Sequence, residues 1–100
     1  MPAVSKEETL YQKALELTQS KQYPEAIELW KKAGNYKDSH DQLMKAIRLN
    51  KEKSYNRILE LMDQGDLLQA EKLLDELGMF KDTQSIRKKL DQMKQNNGSE

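Results

Sequence analysis

Cysteine is absent from this 100-residue chain, so neither a disulfide framework nor thiol chemistry is available to it. Glycine and proline are scarce, 4 and 2 respectively. β-Branched residues are few as well: Val4 is the single valine, and isoleucine stands only at 27, 47, 58 and 86. A strand-rich chain would carry more of both kinds. An excess of either charge is missing too, because 17 Lys and Arg balance 17 Asp and Glu. That balance argues against broad electrostatic capture by nucleic acid or an anionic membrane. No apolar run is long enough to span a bilayer, and residues 1–8 lack the apolar core of a signal peptide. The expectation is a soluble, cytoplasmic protein with one domain's length of chain.

What is present is an internal repeat. Tyr11-Gln-Lys-Ala-Leu-Glu-Leu17 returns as Tyr55-Asn-Arg-Ile-Leu-Glu-Leu61, and Gly34-Asn-Tyr-Lys-Asp-Ser39 returns as Gly78-Met-Phe-Lys-Asp-Thr83. The offset is constant and gapless, 44 residues in each case (55 − 11 and 78 − 34). Periods of roughly 20–50 residues mark stacked repeat arrays, in which each unit buries a face that it cannot bury alone.

The hydrophobic spacing is helical throughout. Ser5-Lys-Glu-Glu8 reads as a capping box, and Leu10, Ala14 and Leu17 line one face of a helix ending near Ser20. Pro24 opens a second helix, packed through Ala26, Ile27, Trp30 and Ala33, and Gly34 closes it with a left-handed residue. Asp38 reads as the N-cap of a third helix. Its apolar spacing runs from Leu43 to Met62, with a polar stretch near Asn50 that leaves one long helix or two shorter ones open. Gly65-Asp66 is a stop followed by a start. Leu67, Ala70, Leu73, Leu74 and Leu77 form the face of a fourth helix, and Asp82 caps a fifth bearing Ile86, Leu90 and Met93. Short connections make sequential helices antiparallel. The predicted organisation is a loose end over 1–4, one helical domain over 5–95 (repeats about 6–49 and 50–95) and a disordered polar tail over 96–100.

At Ala14, Leu17, Tyr23, Ala26, Trp30 and Ala33 the chain resembles a tetratricopeptide (TPR) repeat, in which small residues let antiparallel helices approach and an aromatic fills the gap. Ile58, Leu61, Leu67, Ala70, Leu74 and Leu77 repeat the pattern. The Gly-x-Tyr-Lys-Asp-Ser segment is similar to a helical repeat found in many bacterial proteins, where it joins one hairpin to the next. Two features depart from the TPR pattern. The closing proline is missing, and the step exceeds the roughly 34 residues of a standard unit. The resemblance implies an all-α fold of about five helices, tandem antiparallel hairpins in a right-handed superhelix, with a concave face for partners.

Functional candidates follow from that implied fold. Tyr11, Leu15 and Thr18, recurring as Tyr55, Leu59 and Met62, would line the concave face and anchor a partner peptide or helix. The competing reading places these six in the core. The Tyr-Lys-Asp-Ser loop reads as capping and packing, and the lysines, interleaved with acids, as a solvated surface. His40 beside Asp38 and Asp41 is too sparse for a closed metal site. No nucleophile–base constellation or Gly-rich phosphate loop is present. The expected function is therefore a non-catalytic protein-interaction adaptor without cofactor or metal. Self-association into a homodimer or scaffold, or membership of a longer array, is the alternative, and nucleic-acid binding through the lysines is a weaker one.

Overall fold

The computed structural model describes residues 5–98, in five α-helices and, among those residues, no strand. The protein is all-α. Residues 1–4 and 99–100, parts of the expected loose ends, lie outside the described residues. The helices are α1 (Lys6–Gln19), α2 (Tyr23–Ala33), α3 (Ser39–Gln64), α4 (Leu67–Leu77) and α5 (Thr83–Gly98). They belong to two compact units, Met1–Asn50 and Lys51–Glu100. α3 is one helix across Asn50, and each unit has its own apolar cluster.

In the first unit the Ser5 side chain accepts the Glu8 amide at 3.0 Å and starts α1. Only that half of the expected capping box forms. The Glu8 carboxylate turns instead to Lys37, Tyr36 and Gln12, because a charge-assisted bond to an ammonium is the stronger one. α1 ends in a Schellman motif: the Gln22 amide reaches the Leu17 carbonyl at 2.9 Å, and Lys21 reaches Thr18 at 3.1 Å. This geometry needs a positive φ at Lys21, observed at +61°. A lysine therefore performs what glycine usually does there. Pro24 sits in the first turn of α2, where no amide is missed. The core gathers Ala14, Ala26, Trp30 and Ala46, with Tyr11, Leu15, Leu17, Ile27, Leu29 and Leu43 packed around it. The indole is 1% exposed. Its N–H donates to the Thr18 hydroxyl at 3.0 Å, and its ring centre lies 5.3 Å from that of Tyr11 in a T-shaped arrangement.

The second unit places the same backbone events 44 residues later. Asp66 bonds the Leu61 carbonyl and Gly65 bonds Met62, closing the equivalent Schellman motif with glycine at φ +82°. Asp66 also caps α4 by accepting the Gln69 amide at 3.4 Å. The core consists of Ile58, Leu61, Met62, Leu67, Ala70, Leu74, Ile86 and Leu90. Of the α4 leucines, Leu67 and Leu74 are buried and Leu73 and Leu77 half-buried, whereas Leu68 is 80% exposed. α5 runs on to Gly98, past the break expected near Gln95. Lys94, Gln95 and Asn96 are exposed there, and the backbone hydrogen-bond ladder continues the helix.

The two cores solve one packing problem with different residues. Trp30, Ala14 and Ala46 occupy the positions that Leu74, Ile58 and Leu90 occupy in the second unit. Each trio supplies twelve non-hydrogen side-chain atoms, as ten, one and one against four apiece. Equal numbers of side-chain atoms thus fill the two cores with different shapes. Thr18, which accepts the indole N–H, is matched by apolar Met62, since Leu74 has no donor to satisfy.

Candidate functional site

The loop after α2 is where the first unit concentrates its polar chemistry. Gly34 takes φ +62° and ψ −119°, a region open to glycine but outside the left-handed helical well expected from the sequence. The chain then turns so that the Ser39 amide returns to the Tyr36 carbonyl at 3.0 Å, and Lys37 adopts φ +49°. Asp38 stands immediately before α3, and its carbonyl begins the ladder by accepting the Gln42 amide at 3.0 Å. Its carboxylate takes the Tyr11 hydroxyl at 2.5 Å and the Gln42 amide group at 3.1 Å.

Opposite this loop, Glu8 of α1 receives the Lys37 ammonium at 2.7 Å, the Tyr36 hydroxyl at 2.8 Å and the Gln12 amide group at 3.0 Å. Lys37 lies over two rings, 5.1 Å from the centre of Tyr11 and 5.4 Å from that of Tyr36. These donors, the ammonium first, hold the Glu8 carboxyl down at about 2. The same ion pair pushes Lys37 up. The Tyr11 bond, then that of Gln42, lowers Asp38, and the neighbouring carboxylate raises the Tyr11 phenol.

The second unit rebuilds this cluster with looser parts. The Tyr55 hydroxyl donates to Asp82. Lys81, at φ +51°, lies 5.1 Å from the Tyr55 ring and 5.5 Å from Phe80. Glu52 answers Lys81 at 3.9 Å, and Phe80 has no hydroxyl to steady that carboxylate. The bond to Asp82 raises the Tyr55 phenol.

The six sequence candidates separate accordingly. Tyr11 and Thr18 face Trp30 and the loop of their own unit. Tyr55 faces Phe80 and Asp82. Met62 is 4% exposed within its core. Leu15 is half-buried against the first cluster. Leu59, 39% exposed, reaches solvent most openly. Among the described residues no group of three or more His, Cys, Asp or Glu side chains is arranged to hold a metal ion, and no helix is long and apolar enough to cross a membrane.

Two exposed features carry no apolar signal in the sequence. One is the lysine over paired rings, signalled by the Glu-x-x-Tyr spacing of Glu8–Tyr11 and Glu52–Tyr55. The other is a polar set on the solvent side of α1 and of the second part of α3. Gln12, Lys13 and Glu16 recur there as Asn56, Arg57 and Glu60. Each set carries an ion pair one turn long, 3.9 Å for Lys13–Glu16 and 3.1 Å for Arg57–Glu60, with every side chain at least half exposed. Thr9, Gln12, Lys13 and Glu16 also border a shallow depression on α1. Comparison with known proteins finds no matching family model, curated protein or solved structure.

Proposed function

We propose that this chain is a non-catalytic protein-interaction module, similar to tetratricopeptide adaptors, that holds a partner peptide or helix against exposed helical faces. The observation carrying this reading is the recurrence of amide, cation and carboxylate at Gln12, Lys13 and Glu16 and at Asn56, Arg57 and Glu60. Exposed pairs of this kind add little stability, so packing does not account for their recurrence. An amide beside a cation and a carboxylate offers donors and acceptors to a peptide backbone and its charged side chains. In the second unit Leu59, next to Glu60 in the chain and 39% exposed, supplies an apolar anchor. In this reading Tyr11 and Thr18 support the polar set of the first unit, and Tyr55 and Met62 support that of the second.

The test is affinity capture from the protein's own host by wild type and by the double variant Lys13→Glu, Arg57→Glu, with nuclease present. A stoichiometric partner held by wild type and lost by the variant, at unchanged helicity, is the expected result. Equal recovery by both proteins refutes the assigned face. Self-association is the second reading, favoured by Leu68 and Met79, which stand 80% and 78% exposed on the second unit. Sedimentation of wild type against Leu68→Lys decides it: a mass that rises with concentration only in wild type supports it, and a monomer throughout removes it.

A further inference from the structure

Both units hold a lysine at positive φ, Lys37 at +49° and Lys81 at +51°. That conformation strains an L-residue, and glycine would avoid the strain. A strained backbone at equivalent positions points to something the side chain supplies in return. In both units the ammonium sits over two aromatic rings, 5.1 and 5.4 Å from their centres for Lys37 and 5.1 and 5.5 Å for Lys81. In both, a carboxylate from the facing helix completes the surroundings, Glu8 at 2.7 Å and Glu52 at 3.9 Å. Two ring faces and a carboxylate make a recognition site for an ammonium ion, and here the loop's own lysine fills it.

The two cages differ in how firmly they are closed. In the first, Glu8 is fixed by the Tyr36 hydroxyl and the Gln12 amide, and its side chain is 24% exposed. In the second, Phe80 brings no hydroxyl and the Glu52 side chain is 39% exposed, while the two lysines are about equally open, 51% for Lys37 and 49% for Lys81. An ion pair at 3.9 Å with both partners open to water is held weakly. The occupant can leave while the rings stay in place, because Tyr55 is anchored separately on Asp82.

We propose that Glu52, Tyr55 and Phe80 form an exchangeable binding site for a primary ammonium, the group a lysine side chain presents, and that Lys81 is its resident occupant. An incoming ammonium replaces Lys81 over the rings and donates to Glu52. The firmer Glu8–Tyr11–Tyr36 cage keeps Lys37 in place.

The probe is methylammonium chloride, titrated into the full chain carrying Lys81→Gly, with sodium chloride at matched ionic strength as the control. Glycine suits the positive φ, so the loop is retained while the occupant is removed. The expected result is a saturable shift of the Tyr55 and Phe80 ring protons together with a rise in Tm. Sodium chloride should not produce it, and adding Glu52→Gln should abolish it. In wild type the same shifts require roughly tenfold more methylammonium or beyond, as for a site open in a tenth of molecules or fewer. Equal responses to methylammonium and sodium chloride in Lys81→Gly overturn the site. Equal response to tetramethylammonium, which cannot donate to Glu52, overturns the assignment to a primary ammonium. Should Lys81→Gly lose helicity, Lys81→Asn carries the same titration under the same criteria.

Discussion

Replacing Trp30 with leucine tests whether the two cores are alternative fillings of one frame. The substitution leaves four side-chain atoms where tryptophan has ten, a net loss of six at a position 1% exposed. The buried neighbours left behind include Ala14, Ala26 and Ala46, which are too short to reach into the gap. Full truncation of a buried tryptophan costs about 3–5 kcal/mol, so Trp30→Leu is expected to cost about 2–4 kcal/mol. With a urea slope of about 2 kcal/mol/M for a small domain, the midpoint should fall by about 1–2 M. The decisive variant installs the second unit's residues together: Ala14→Ile, Thr18→Met, Trp30→Leu and Ala46→Leu. Volume-conserving exchanges usually cost less than about 1.5 kcal/mol, so most of the loss should return. Ala14→Ile or Ala46→Leu alone, beside the intact indole, should be overpacked and cost about 1–3 kcal/mol. Far-UV circular dichroism follows every member of the series, since the exchange removes the only tryptophan. A four-residue variant no more stable than Trp30→Leu would refute the equivalence of the cores.

The remaining predictions concern the loop clusters. Gly34→Ala should cost about 1–3 kcal/mol from backbone strain alone, since nothing lies within 4 Å of the added methyl. Gly34→Asn should not recover that loss, because ψ −119° lies outside the left-handed well that asparagine tolerates; a Tm like wild type for either would contradict this. The Glu8 carboxyl lies near 2 in the fold against an ordinary 4.5. Its contribution is therefore complete above pH 4.5 and disappears as pH falls from there towards 2, and Asp38 shifts the same way. The Tm gap between wild type and Glu8→Gln should narrow across that window, and a constant gap would contradict the assignment. Tyr11 and Tyr55 are raised above 10.0 by their bonds to Asp38 and Asp82. Their contribution is full below that pH and is lost as pH climbs through the raised values. Phenolate absorbance in the folded protein should develop later than in the unfolded chain, and Asp38→Asn with Asp82→Asn should remove the delay.

The helices were legible because their signals are local. Ser5, Pro24, Gly65 and Asp66 mark ends by their own backbone chemistry, and Ala14, Trp30, Ile58 and Leu74 mark the buried side by spacing. The left-handed turn at Lys21 was not legible, because a lysine gives no hint that it will do what Gly65 does 44 residues on. The candidate face is less legible, because helical spacing does not say which flank of the apolar stripe meets the neighbouring helix. Tyr11 and Thr18 lie on the flank that meets Trp30, while the polar residues beside them reach solvent. The links from Glu8 to Lys37 and from Tyr11 to Asp38 span nearly thirty residues and exist only once the hairpin has closed.

A chain with two similar units in tandem risks exchanging helices between them while it folds. The unequal cores guard against that error. If α2 docked into the second unit's frame, its indole would drive into Ile58 and Leu90, where there is no room for it. If α4 docked into the first, Leu74 would leave the space between Ala14 and Ala46 empty, and Thr18 would lose the indole donor. Each wrong pairing is penalised by steric excess or by a void. The exchange of one large residue for three medium ones thus serves as an address, directing α2 and α4 each to its own half of a sequence that otherwise repeats.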